Sequence, residues 1–149
     1  RHAVGWRTSM TTLGALIGVA GIVLAITLTD HGPIKWAWYT PAKLEQARAD
    51  GKVVVLEFTA EWCLNCKALE TAVLNSDEVA SLLAEPWVAP IKIDLTGNNT
   101  EGNAMLHAVG RHQIPLLVVI APDGQEVFKG DFYTVDQVVE AVNEAKSLK

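Results

Sequence analysis

The chain has 149 residues, and 12 Lys and Arg against 17 Asp and Glu give a formal net charge of -5 at pH 7. This length suits one globular domain with a hydrophobic core. Because the chain is acidic and contains no run of basic residues, we expect no nucleic-acid partner.

The first feature along the chain is an uncharged apolar segment, MTTLGALIGVAGIVLAITLT, at residues 10–29. It has the length of a transmembrane helix, roughly 20 residues, whereas the apolar region of a signal peptide is usually about 7–15 residues. A buried core helix would show a polar face, and this segment has only scattered Thr and Gly. We therefore predict one membrane span. Arg1 and Arg7 precede it and Asp30 follows it, so the positive-inside rule places residues 1–9 in the cytoplasm and the remainder outside.

The rest of the chain is predicted to be a connector, residues 30–40, and a small α/β domain, residues 41–149. The predicted elements are a helix at 41–49, a strand at 53–58, a helix at 63–75, a short helix at 76–83, a strand at 88–95, a helix at 100–110, strands at 116–120 and 126–129, and a helix at 134–148. Since helices separate the first two strands, we expect those strands to be parallel, and we expect the terminal hairpin to add antiparallel edges.

The motif that carries chemistry is Cys63-x-x-Cys66, formed by the only two cysteines of the chain. It lies between a predicted strand and a predicted helix, which is typical of a redox dithiol. A disulfide that closes so short a loop restricts the unfolded chain little. At a helix N-terminus the pKa of Cys63 would be lowered, so we expect Cys63 to be the nucleophile. Cys66, one turn later, would resolve the mixed disulfide.

Two carboxylates and one proline are further candidate residues of the redox site. Glu57 interrupts the apolar strand before the motif, and burial would raise its pKa and suit it to exchange protons with a cysteine. Glu70 follows Cys66 by one turn and is either a second such group or a solvated helix-face residue. Pro115, after Ile114, marks either a loop that faces the dithiol, with a cis bond, or an ordinary strand start.

Zinc binding is an alternative role for the two cysteines. Zinc takes four ligands, and the chain has no second CxxC motif. His107 and His112 are the nearest candidates for the missing ligands, and we interpret them as solvated side chains. We therefore expect no metal, and no cofactor besides the redox-active Cys63–Cys66 disulfide.

The segment FTAEWCLNCK at residues 58–67 resembles the active-site region of thioredoxin-fold proteins. More narrowly, the chain is similar to the C-terminal periplasmic domain of the DsbD family of transmembrane thiol:disulfide interchange proteins. Glu70 matches that family, QIPL at 113–116 stands at the usual place of its cis-proline, and WAWY at 36–39 is also similar. The resemblance covers roughly residues 34–145.

The resemblance implies a thioredoxin fold, a central mixed sheet flanked by helices, preceded by one transmembrane helix. It places the protein in the bacterial inner membrane with this domain in the periplasm. Residues 10–29 would be the last helix of a longer membrane protein, which fits a chain that starts with Arg1 rather than Met. Glu57 stands where thioredoxins carry a buried acid, usually Asp. The substrate-contacting residues that the resemblance implies are Trp62, Leu64, Asn65, Ile114 and Pro115.

The family also implies a route for electrons. They would pass from a transmembrane electron-donor domain to this dithiol, and from there to extracytoplasmic thiol:disulfide proteins. We therefore predict a membrane-tethered protein-disulfide reductase. One alternative is an independent single-span reductase for cytochrome c maturation. The other is a non-enzymatic binding module whose CxxC is a structural disulfide or a metal ligand.

Overall fold

A computed structural model of the chain describes residues 32–148. The predicted membrane span at 10–29 and its flank at 1–9 lie outside these residues. Between residues 32 and 148 no helix combines the length and the apolar character needed to cross a membrane.

Strands and helices alternate along this part of the chain. In order they are β1 (Ala37–Trp38), α1 (Pro41–Ala49), β2 (Val53–Thr59), α2 (Leu64–Leu69), a π-helical turn (Glu70–Leu74), α3 (Asp77–Leu83), β3 (Val88–Asp94), α4 (Thr100–Ala108), β4 (Leu116–Ile120), β5 (Glu126–Gly130) and α5 (Val135–Ser147). The strands form one sheet in the order β1-β3-β2-β4-β5. The α/β prediction is thereby confirmed.

The sheet is mixed, as predicted. β1 and β2 both run parallel to β3, whereas β4 is antiparallel to β2 and to β5. The expectation that the whole terminal hairpin lies at the edge is wrong for β4, which lies between β2 and β5 and is buried along its whole length. The five apolar residues of β4 are buried on both faces, whereas β5 at the edge of the sheet is only half-buried along most of its length.

The segment predicted as a connector contributes β1. Ala37 pairs with Ile91 and Trp38 pairs with Lys92, so this short strand extends the sheet at one edge. The sequence gives little sign of it, because a strand of two residues is too short to show an alternating pattern.

Side-chain caps begin most of the helices near the predicted positions. Thr40 caps α1, with Pro41 at its first position, and Ser76 caps α3. Thr134 and Gln137 form a capping box at the start of α5. Each cap satisfies backbone N–H groups that a helix N-terminus leaves free, which is why these residue types predict helix starts.

The core lies on both faces of β2. Val53 and Val55 pack on one face with residues of α3 and α5, whereas Val54, Leu56 and Phe58 pack on the other with residues of α1 and α4. Because side chains alternate along a strand, Glu57 projects to the same face as Val53 and Val55. That placement buries the carboxyl group on the side of the sheet covered by α5.

Candidate active site

The two cysteines form a disulfide at the start of α2. Their Cα atoms are 5.3 Å apart, and only 7% of Cys63 and 2% of Cys66 is exposed. Cys63, the predicted first residue of the helix, is its N-cap residue, one position before the observed start at Leu64. Its Sγ accepts a hydrogen bond from the backbone N–H of Cys66 at 3.2 Å. The same amide would stabilise a thiolate on Cys63 after reduction.

Exposed side chains surround this disulfide. Trp62 is 67% exposed and Leu64 is 83% exposed, and Asn65 is also at the surface. The Ile114–Pro115 peptide bond is cis. Ile114 packs against the small cluster of Ala60, Cys63 and Cys66, so the structure brings the proline loop to the dithiol.

A groove extends from the dithiol along α2. Asn65, Ile114 and Pro115 are among the residues that line it. Its other walls are Ala68, Leu69, Ala72 and Val73 on one side and the segment of residues 131–135 on the other. Phe132 in that segment is 73% exposed. Sequence reasoning did not single out Phe132, because an aromatic residue before a helix is most often part of the core.

A largely buried cluster of charges joins β2, β3 and the π-helical turn. Lys92 Nζ is 3.1 Å from Glu57 Oε2 and 3.5 Å from Glu70 Oε2. The hydroxyl of Thr59 donates to Glu70 Oε1 at 2.8 Å, and Lys67 Nζ lies 3.3 Å from the same oxygen. Glu57 and Glu70, both expected near the dithiol, therefore share one lysine.

The π-helical turn positions Glu70 in this cluster. The turn begins at Glu70, whose carbonyl accepts from the N–H of Asn75 at 2.8 Å. The wider turn shifts the helix phase by about one residue, so Val73 and Leu74 remain in the core while Glu70 faces Thr59. Such turns have no reliable sequence signature, and we predicted an unbroken helix here.

The pKa values of the two carboxyl groups are shifted in opposite directions. Burial raises the pKa of Glu57 to about 8, and the charge of Glu70 adds to this effect while Lys92 opposes it. Although Lys92 is close, Glu57 Oε2 has no well-directed hydrogen bond from the described residues. Burial also works against the charged form of Glu70, but Thr59, Lys92 and Lys67 outweigh it and hold the pKa of Glu70 below its ordinary value.

The cluster therefore contains one neutral and one charged carboxyl group at neutral pH. Glu57 keeps its proton and Glu70 is ionised, a separation typical of sites that move protons. Tyr133 is buried beside them, and burial together with the charges of Glu57 and Glu70 raises its pKa above the ordinary value. Its phenol consequently stays neutral.

Sequence reasoning missed Lys92, Thr59 and Tyr133. A signal for Lys92 was present, since it stands between Ile91 and Ile93 in a largely apolar predicted strand, and buried lysines are nearly always paired. Its partner depends on the register of β2 against β3, which aligns Glu57 with Lys92. The separate strand patterns do not determine that register.

The two histidines considered as zinc ligands lie against one another. The ring centroids of His107 and His112 are 4.7 Å apart, and both side chains are exposed. Within residues 32–148 the structure gathers no group of three or more residues that would hold a metal ion.

Comparisons with known proteins agree with a thioredoxin-like fold. The family model described as thioredoxin-like matches residues 35–122, and the chain belongs to this family. Its fold is the thioredoxin fold, as the sequence resemblance implied. The structure called DsbH oxidoreductase has a TM-score of 0.61 over 81% of this chain and 90% of its own, at 20% identity, and supports the fold alone.

Within the family the chain is similar to DsbD. It is 34% identical over 83 residues to the thiol:disulfide interchange protein DsbD of Pseudomonas fluorescens, which is 56% of this chain and 14% of that protein. It thus spans only a small part of the curated relative. The reduced C-terminal domain of Neisseria meningitidis DsbD is 27% identical with a TM-score of 0.58, over 74% of this chain and all of that domain. These likenesses support thiol:disulfide oxidoreductase activity.

Proposed function

We propose that the domain is a thiol:disulfide oxidoreductase that passes electrons through Cys63 and Cys66 to protein disulfides. One observation carries the proposal: the disulfide lies at the start of α2, with Ile114 of the cis-proline loop packed against both cysteines. A disulfide that closes so short a loop at the start of a helix is typical of redox exchange, whereas structural disulfides join distant segments.

The reaction proceeds in two exchanges. The Cys63 thiolate attacks one sulfur of the substrate disulfide, forms a mixed disulfide and releases the first substrate thiolate. The Cys66 thiolate then attacks Cys63, re-forms the Cys63–Cys66 disulfide and releases the second substrate thiolate. Two electrons leave the dithiol, and its two protons neutralise the two thiolates that the substrate gains.

In this proposal the carboxyl groups govern the protons. A pKa of about 8 lets Glu57 accept or release a proton near neutral pH, in the range where thiols titrate. Glu70 stays ionised and, through Lys92, affects how readily Glu57 gives up its proton. Both therefore act as tuning groups beside the nucleophile and the resolving cysteine.

The substrate would bind over the exposed surface around the disulfide. Trp62, Leu64 and Asn65 border it on one side, and Ile114 and Pro115 on the other. Apolar side chains that are largely exposed in the free domain gain most from being covered by a partner. A folded or extended protein segment bearing a disulfide fits this surface better than a small disulfide does.

We further propose the arrangement that the resemblance implies for the whole protein. Residues 10–29 would anchor residues 41–149 outside a bacterial inner membrane, in the periplasm. Electrons would arrive from a transmembrane donor domain and leave to extracytoplasmic thiol:disulfide proteins. The apolar sequence of residues 10–29 and the likeness to DsbD support this arrangement.

The test is reduction of insulin disulfides by the full chain, kept in mild detergent because of its apolar segment. We expect reduction by the wild type in the presence of dithiothreitol and loss of at least about a hundredfold in Cys63→Ser, which lacks the nucleophile. Cys66→Ser keeps the first attack, so it should accumulate a mixed disulfide with the substrate. Reduction by Cys63→Ser at the wild-type rate would contradict the proposal.

A further inference from the structure

Trp36 belongs to the segment that leads into β1. Ile34 anchors this segment in the core with 5% exposure, and the N–H of Trp36 donates to the carbonyl of Ile34 at 3.1 Å. The Trp36 side chain packs against the core cluster that also contains Leu69, Val73 and Tyr133. The segment therefore holds the indole ring on the face of the sheet that carries Glu57.

The indole ring faces the buried ammonium group. Lys92 Nζ lies 5.1 Å from the centroid of the Trp36 ring, within the range of a cation–π interaction. Only 7% of Lys92 is exposed, so water does little to solvate its charge. The electron-rich face of an indole ring partly replaces that solvation.

We propose that Trp36 is a positioning residue, whose ring holds the Lys92 ammonium group between the carboxyl groups of Glu57 and Glu70. Without the ring, the ammonium would lose one of its three stabilising neighbours. The long lysine side chain could then move towards water and Glu70. Glu57 would lose the nearest positive charge that favours its ionised form.

The other groups that face this site come from different elements. Glu57 and Thr59 belong to β2, Glu70 to the π-helical turn, and Lys67 to α2. Tyr133, just before α5, is also sensitive to the charges of Glu57 and Glu70. Among the groups named here, only Trp36 stabilises Lys92 without carrying a charge, so its replacement changes no formal charge in the cluster.

The experiment is a carboxyl titration of the oxidised full chain in mild detergent, with glutamate labelled with carbon-13 at Cδ. Because both cysteines are in the disulfide, they do not titrate. Glu57→Gln identifies the Glu57 resonance. We compare Trp36→Leu, which keeps an apolar side chain but removes the ring, with Trp36→Phe, which keeps a smaller ring.

The matched control is Trp87→Leu. Trp87 forms a second cation–π pair, with Lys146 Nζ 4.3 Å from its ring centroid, and it precedes the first residue of β3 rather than lying beside Glu57. This variant loses the same kind of contact at a distance from the cluster. It therefore reports any general effect of replacing a tryptophan by leucine.

We expect Trp36→Leu to raise the midpoint of the Glu57 titration by about 0.5 pH unit, Trp36→Phe to raise it less, and Trp87→Leu to leave it unchanged. An unchanged midpoint in Trp36→Leu would overturn the proposal, as would equal shifts in the leucine and phenylalanine variants. The catalytic role of the dithiol belongs to the proposed function, whereas the outcome of this titration does not depend on that function. If the wild type reduced no protein disulfide, the titration would still decide whether Trp36 positions Lys92.

Discussion

Glu57 and Glu70 carry the same chemical group, yet their surroundings give them opposite pKa shifts. Glu57 is 2% exposed on the central strand, whereas Glu70 accepts a hydrogen bond from Thr59 and lies near the exposed Lys67. Desolvation sets the shift of the first pKa, whereas for the second the hydrogen bond from Thr59 and the positive charges of the two lysines together outweigh desolvation. The sequence identified both residues, but only the fold shows which of them keeps its proton.

The raised pKa of Glu57 predicts how stability depends on pH. The unfolded chain releases this proton near the ordinary value of 4.5, whereas the folded chain holds it until about 8. The folded state therefore binds more protons between these values, and the free energy of unfolding falls as pH rises through this window. In Glu57→Gln this contribution is absent, so the decrease should be smaller, by up to about 1.4 kcal/mol per pH unit.

Urea unfolding from about pH 5 to about pH 8 measures this slope. Glu140→Gln, which changes an exposed glutamate on α5, is the matched control and should follow the wild type. Because the pKa of Glu70 is lowered in the folded chain, the stability that Glu70 contributes is lost only as the pH falls below 4.5, the ordinary pKa of a glutamate. Glu70 therefore does not affect the slope between about pH 5 and about pH 8. Identical slopes in Glu57→Gln and the wild type would show that Glu57 is ionised in the folded chain at neutral pH.

At the scale of elements, α2 and its π-helical turn connect the surface to the buried charges. Cys63 caps the N-terminus of the helix, and side chains of the helix line the groove together with residues 131–135. The turn at its end directs Glu70 towards Lys92. One continuous segment thus contributes the proposed nucleophile, one wall of the groove and the carboxylate proposed to tune the dithiol.

Phe132 tests whether a protein partner covers this groove. Its side chain is 73% exposed, so Phe132→Ser should change the stability of the free domain little. If a substrate covers the ring, the variant should raise KM for insulin reduction about threefold to tenfold. Reduction of a small disulfide, which reaches only the cysteines, should continue at the wild-type rate.

Trp38→Ser is the control for this prediction. Trp38 is 51% exposed on β1 and does not line the groove, so its replacement removes a comparable apolar surface elsewhere. We expect KM for insulin to be unchanged in Trp38→Ser. An equal rise of KM in both variants would indicate a general surface effect. If KM did not rise in Phe132→Ser, the result would show that the substrate does not contact the groove.

Sequence patterns predicted most elements for identifiable physical reasons. Thr40, Ser76 and Thr134 begin helices because their side chains cap free N–H groups, and the apolar run at residues 53–58 forms a strand buried on both faces. β1 and the π-helical turn were missed because two residues show no periodicity and a widened turn resembles an ordinary helix. The interior position of β4 depends on contacts between distant strands, which local patterns do not contain.

At the scale of the whole molecule, the order of helices and strands predicted a small α/β domain, and the resemblance around the CxxC motif implied the thioredoxin fold. The sheet then places the proline loop, 49 residues after Cys66 by residue number, against the cysteines, and it pairs Glu57 with Lys92. These contacts between distant parts of the sequence add the proline loop to the motif and give Glu57 a buried cationic neighbour. The membrane anchor at residues 10–29 remains part of the proposed arrangement.

The most direct test of the central claim is a redox titration of the full chain against glutathione. The oxidised protein is equilibrated in buffers of stated glutathione poise, free thiols are alkylated, and mass spectrometry measures the reduced fraction. We expect the Cys63–Cys66 pair to exchange reversibly, with a potential above about -300 mV. A disulfide that stays oxidised at poises well below about -300 mV would be structural, and it would contradict the account.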